Sequence, residues 1–120
     1  PNGDLWIGVR AGSLCIFERT TQRFKVAPFK GKVPGREIIS VQAIFQDSKE
    51  YIWLGTAGHG VFRIDREGEH IDYFGNDAPN SNRVIQNNAC FSFAEDKEGN
   101  IWMGTAGSFV HCYRQQQDTV

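Results

Sequence analysis

Three copies of one short string constrain this chain more than anything else in it. DLWIGVRAG, YIWLGTAGHG and NIWMGTAG begin at Asp4, Tyr51 and Asn100, and their tryptophans, Trp6, Trp53 and Trp102, stand 47 and 49 residues apart. A repeat of that length restricts the fold to architectures in which similar units stack on one another. Each tryptophan is flanked by aliphatic residues or Met (Leu5 and Ile7, Ile52 and Leu54, Ile101 and Met103), with Gly8, Gly55 or Gly104 two positions on. That pattern predicts a strand followed by a glycine-marked corner.

The rest of the period is strand-like too. SLCIFE, GVFRID and FVHCYR follow at constant offset, and RFKVAPF and HIDYF come after them, rich in aromatic and β-branched residues. Ahead of the second and third tryptophans, apolar runs end in Asp47 and Asp96. An acidic residue followed by a short polar turn closes a hairpin into the tryptophan strand. Four strands in a period of this length, with no stretch of 3.6-residue periodicity, predict an all-β chain. The expected architecture is a β-propeller fragment of about two and a half four-stranded antiparallel blades. Residues 1–29 are expected to form a partial blade lacking its first strand, 40–74 a complete blade, and 89–120 a partial blade lacking its last strand. Propellers close at about four to eight blades, so either this is part of a longer protein or copies self-associate through the incomplete blades.

Composition narrows the function classes. With 13 basic and 14 acidic residues there is no basic stripe to carry a nucleic-acid or anionic-membrane partner. No stretch approaches the roughly 20 apolar residues of a spanning helix. Cys15, Cys90 and Cys112 form no CxxC pair and occupy ordinary strand positions, as small buried hydrophobes do. His59, His70 and His111 fall at three different places in the repeat, away from any metal-ligand spacing, and no cofactor fingerprint or nucleophile motif is present. Neither a metal nor a cofactor is expected.

An acidic residue, a turn, Leu/Ile-Trp-aliphatic-Gly-Thr, and then Gly with an aliphatic or aromatic run ending in Asp resembles the two-component regulator propeller repeat. Asp47 to Asp65 matches best, followed by Asp96 to Gly107. The first copy departs with Val9 and Glu18, and the third with Phe109 where the second has Gly60. The resemblance implies the periplasmic or extracellular portion of a membrane-anchored bacterial sensor. It would recognise an oligosaccharide or related solute and signal through a histidine kinase outside these 120 residues.

Residues that recur in every copy are explained by architecture, so ligand chemistry is expected in what the copies do not share. The tryptophans, fixed in mid-strand, are read as packing between blades rather than as sugar platforms. The unshared segments are the connections between blades, Phe29 to Ile39 and Gly75 to Asn88. The second carries Asn76, Asn80, Asn82, Arg83, Asn87 and Asn88; amides and a guanidinium can bind the paired hydroxyls of a sugar, and the same residues also simply make turns. Arg36 in the first connection, with Arg10 and His59 in the short corners of that face, completes the candidate ligand-binding set. No catalytic residue is assigned. The alternative reading is a sialidase-like or lyase-like propeller enzyme acting on glycans, suggested by the likeness of Asp96–Trp102 to an aspartate-box turn and by Asp72 and Asp77 as a possible acid/base pair. A third is a scaffold that pairs with other chains through exposed blade edges.

Overall fold

Apolar residues on both faces of the tryptophan segments require a covering layer on each side, and the chain supplies it by stacking sheets. The computed structural model describes residues 4–7, 15–26, 38, 40–107 and 109–120. The first sheet holds β1 (Leu5–Ile7), β2 (Cys15–Glu18) and β3 (Arg23–Val26) in that order. The second runs β4 (Val41–Gln46), β5 (Ile52–Thr56), β6 (Val61–Ile64) and β7 (Ile71–Phe74). The third has β8 (Cys90–Glu95), β9 (Ile101–Thr105) and β10 (Val110–Tyr113), with β9 central. All pairings between these strands are antiparallel, and a 3₁₀ turn at Ser81–Arg83 is the sole helical element among the described residues. The sheets are successive blades of a propeller.

Register makes the repeat physical. Trp6 lies opposite Ile16, Trp53 opposite Arg63 and Trp102 opposite Cys112, so each tryptophan occupies one and the same lattice point of its blade. Side chains alternate across a strand, so β5 sends Ile52 and Leu54 to one face and Trp53 to the other. The first set joins Phe62, Ile64 and Tyr73, with Trp6 packed against them, in the core between the first and second blades. Trp53, Val61 and Phe74 join Ile85, Cys90, Ile101, Met103 and Tyr113 between the second and third. Trp53 has no exposed surface, and its ring meets Phe74, Phe93 and Tyr113 at centroid distances of 5.2, 6.0 and 5.7 Å. Burying an indole of this kind contributes about 5 kcal/mol of transfer free energy.

Of the recurrent glycines expected to mark corners, Gly8 lies outside the described residues, and Gly55 and Gly104 do not mark corners. Gly55 and Gly104 lie inside β5 and β9, and the corner after β5 is made by residues 57–60, where Gly58 and Gly60 take φ of 104° and 91°. The reason is close approach: a Cβ on Gly55 would stand 2.7 Å from the carbonyl oxygen of Cys90 in the neighbouring blade. Threonine follows for a related reason. Thr56 Oγ1 donates to the Gly60 carbonyl at 2.7 Å and Thr105 Oγ1 to the Phe109 carbonyl at 3.0 Å, closing both corners.

Both acidic turns do what their recurrence suggests, and more. Asp47 Oδ1 accepts from the backbone N–H groups of Lys49 and Tyr51, while Oδ2 accepts from Trp53 Nε1 at 2.9 Å. Asp96 repeats this with Glu98, Asn100 and Trp102 Nε1, the last at 3.0 Å. These donors, Trp102 foremost, hold the Asp96 carboxyl down at about 2. The residue two positions before the tryptophan strand takes left-handed backbone in both turns, Glu50 at φ 67° and Gly99 at 82°. Asp47 is buried and Asp96 is not fully so. Asp47→Ala strands an indole N–H and two turn N–H groups without water to replace the carboxylate. It should cost about 3 kcal/mol in urea unfolding, and Asp96→Ala should cost less.

Candidate ligand site

The connection from β7 to β8 is a built loop. Ile85 anchors it with no exposed surface, Ala78 is buried beneath it, and Gly75 N–H and Ile85 N–H bond to the carbonyls of Arg83 and Gly75. Asn80 caps the 3₁₀ turn, its side chain accepting from Asn82 N–H at 3.0 Å. Tyr73 hydroxyl donates to Asp77 at 2.7 Å from below.

The candidate residues separate into two groups. Asn76 and Asn88 face one another across the loop: Asn76 N–H donates to Asn88 Oδ1 at 2.8 Å and Asn88 Nδ2 donates to Asn76 Oδ1 at 3.2 Å. The Asn88 carbonyl accepts from Gly60 N–H at 2.9 Å, which brings the exposed His59 and its corner to the same spot. Asn87 turns back to accept from Ala89 N–H at 2.8 Å and lies beside the Gly107 corner of the third blade. Asn80, Asn82 and Arg83 lie at the other end, where the Asn82 carbonyl accepts from Val120 N–H. Arg10 and Arg36 fall outside the described residues.

Arg83 is committed to the interior. Its Nη1 donates to Asp72 Oδ1 at 2.6 Å and its Nη2 to Asp118 Oδ1 at 3.1 Å. Asp72 Oδ2 accepts from Arg63 Nε and Nη2 at 2.9 and 2.6 Å, Arg63 Nη1 donates to Tyr113 hydroxyl at 3.2 Å, and that hydroxyl donates to Asp118 at 2.6 Å. Arg63 also lies 4.5 Å over the Tyr51 ring and 5.6 Å over Trp53, in reach of cation–π attraction. Burial opposes the charge of both arginines, but their carboxylate and hydroxyl partners outweigh it and raise both guanidinium groups above their ordinary value. Two blades, the connecting loop and the chain's last turn are thus pinned by one network. Asp72 serves it, and Asp77 is engaged by Tyr73, so the two carboxylates read as a possible acid/base pair are both held as acceptors.

Beside Asn87 stand residues that sequence reasoning did not select. Phe109 is 46% exposed, and its ring is stacked on His111 at 6.3 Å and 25°. His111 Nε2 accepts from Gln86 N–H at 3.1 Å and so ties the loop to β10. The signal for Phe109 was its departure from the repeat, an aromatic where the second copy has Gly60. A separate cleft of about 180 Å³, floored by Trp6, Ile16, Ile52 and Ile64 and edged by the Arg66–Glu50 ion pair, opens at the opposite ends of the strands. Among the described residues no three His, Cys, Asp or Glu side chains are grouped to hold a metal ion, and burial pushes the Cys90 thiol up to about 11.

His111 accepts a hydrogen bond only when neutral, and burial lowers its pKa below the ordinary 6.5. The unfolded chain therefore takes up its proton first as pH falls. The stability from this latch is full above pH of about 6.5 and lost as pH drops through the lowered folded value. Thermal unfolding from pH 7.5 to 5 should show that decline in the native chain and less of it in His111→Gln.

Comparison with known proteins agrees with this architecture. Residues 37–58 and 84–107 match the two component regulator propeller family. The extracellular domain of a hybrid two component system from B. thetaiotaomicron superposes with a TM-score of 0.69 at 22% identity, over 100% of this chain and 14% of that one. The chain therefore spans about a seventh of the length of that relative. No curated protein sequence matches. Two segments of this chain, residues 37–58 and 84–107, are thus similar to the two component regulator propeller repeat, and the chain has the β-propeller fold.

Proposed function

We propose that this chain is a ligand-sensing segment of a propeller in the periplasmic or extracellular part of a hybrid two-component sensor. It recognises an oligosaccharide or related solute, and the response is produced by a histidine kinase elsewhere in the parent protein. The repeat family and the shared fold support the sensor assignment. The ligand class rests on one observation above the others: the unshared loop presents the Asn76–Asn88 amide pair and the corner of His59, with the exposed Phe109 ring at the neighbouring corner. Amides bind hydroxyl pairs, and an aromatic face packs on the C–H face of a sugar ring. The Arg63–Asp72–Arg83–Asp118 network includes Arg83 of this same loop and crosses the blade junction. A ligand that prefers one arrangement of the loop is therefore in contact with inter-blade packing, which sensing requires.

Asp47 and Asp96, the residues behind the aspartate-box likeness, are engaged with tryptophan indoles and turn amides. That leaves the enzymatic alternative without a dedicated carboxylate among them. Titration calorimetry with a panel of oligosaccharides should give saturable heats that fall at least tenfold in affinity for Asn76→Ala and for Phe109→Ala, with unfolding midpoints unchanged. Uniform silence across the panel would refute the ligand class, and turnover of a glycan would favour the enzyme.

A further inference from the structure

A bulge interrupts β4 between Val41 and Ala43, and the residue it sets apart, Gln42, is exposed. Two positions ahead of it Ser40 takes left-handed backbone at φ 54°, its carbonyl accepting from Ala57 N–H at 3.0 Å. A bulge re-aims the side chain it carries, and a non-glycine residue in that backbone region is strained; both features gather at built sites rather than along plain strands. β8 repeats the bulge between Cys90 and Ser92, but with Phe91 in the position of Gln42 and without left-handed backbone at Ala89. Gln42 is thus among the groups that the copies do not share.

The re-aimed side chain crosses the junction between the second and third blades. Gln42 Nε2 donates to the Thr56 carbonyl of its own blade at 3.3 Å and to the Cys90 carbonyl of the next at 2.9 Å. Both partners are carbonyl oxygens, so only the nitrogen end of the amide can face them, and both of its hydrogens are taken. The oxygen end is turned away from them, and among the described residues no group donates to Oε1. A primary amide ordinarily offers two donors and an acceptor; here the protein uses the donors and leaves the acceptor alone. Strands of both blades are present on either side of this seam, so its geometry belongs to a complete junction.

The same short run of chain carries the amide pair. The Asn88 carbonyl accepts from Gly60 N–H beside His59, Ala89 bridges to Ala57, and the Cys90 carbonyl accepts from Gln42. Two residues of extended chain, about 7 Å, separate Asn88 from the residue that Gln42 grips, a step that neighbouring sugar units can cover. The guanidinium of the connection, Arg83, is already paired with Asp72 and Asp118. We infer, resting on the oligosaccharide site proposed above, that Gln42 is a specificity-determining residue of that site, accepting a hydrogen bond from a sugar hydroxyl and selecting neutral glycans over uronates. A neutral sugar can turn an O–H toward Oε1. An ionised carboxylate has only acceptor oxygens and would face another acceptor with no proton between them.

Titration calorimetry at neutral pH with the oligosaccharide panel drawn as matched pairs, such as mannotetraose with tetramannuronate and cellotetraose with tetraglucuronate, tests this. In any pair that binds, the native chain should hold the neutral member about tenfold tighter. Gln42→Lys keeps N–H donors for the Thr56 and Cys90 carbonyls but replaces the acceptor with a cation. Its unfolding midpoint should not move, its affinity for the neutral member should fall about tenfold, and its affinity for the uronate should rise. A residue that merely stapled the blades would change the midpoint and leave the preference between the two sugars where it was. A native chain that binds the uronate as tightly as its neutral partner overturns the assignment of Gln42 and leaves the oligosaccharide reading standing, as does a Lys variant with unchanged preference. Silence of the native chain to both members of every pair removes the oligosaccharide reading and the role of Gln42 with it.

Discussion

A carboxylate accepting the indole N–H of a buried tryptophan is the interaction on which this structure rests. Burying an indole between two sheets removes a large apolar surface from water but also takes one N–H donor with it, and an unmade bond there would cancel a good part of the gain. Asp47 resolves the conflict at the residue where the hairpin turns, so a single side chain closes the turn, pairs the indole and meets the next blade through Gln115. Turn, strand and blade junction therefore depend on one residue. The Asp96–Trp102 pair shows that the local half of the arrangement forms without a blade on that face of Trp102.

Two nearly identical strands in one chain separate what local sequence decides from what packing decides. Ile52–Thr56 is buried at every position, whereas in Ile101–Thr105 the residues Ile101, Met103 and Thr105 are buried and Trp102 is not. Both have the same register and the same turn. The difference is the layer on one face, which is why stacking, rather than any single blade, supplies the stability of this architecture. It also explains why the unshared residues are the place to look for recognition. The repeat leaves its own conserved-looking groups fully engaged, and the loop from Gly75 to Asn88 and the Phe109 corner carry the remaining chemistry.

What recurs was legible in advance. The tryptophan strands, the acidic turns and the four-strand period follow from spacing, and of the cysteines read as small buried hydrophobes Cys90 is fully buried while Cys112 is only partly so. What does not recur was harder to read. Arg83 looked like a ligand-binding group because it sits among amides, but its partners Asp72 and Asp118 lie 11 and 35 residues away in sequence. Its neighbour in the network, Arg63, corresponds to Ile16 and Cys112 in the other copies, so the repeat gave no hint of an ion pair there. A glycine two residues past a tryptophan predicts a corner, whereas Gly55 is required by the approach of the Cys90 carbonyl from the next blade, a contact invisible within one repeat. The amide pair of Asn76 and Asn88 was selected by composition, and its reciprocal bonding depends on how the loop folds back.

The central claim is that one motif is a sealed blade junction at Trp53 and an open face at Trp102, with the same indole-to-aspartate bond in both. Hydrogen exchange of the two indole Nε1–H groups, resolved by NMR in dilute solution, measures this directly. The account predicts that the Trp53 proton exchanges only through global unfolding, slowed by the full stability of the fold, while the Trp102 proton exchanges orders of magnitude faster. Equal protection of the two protons would contradict it.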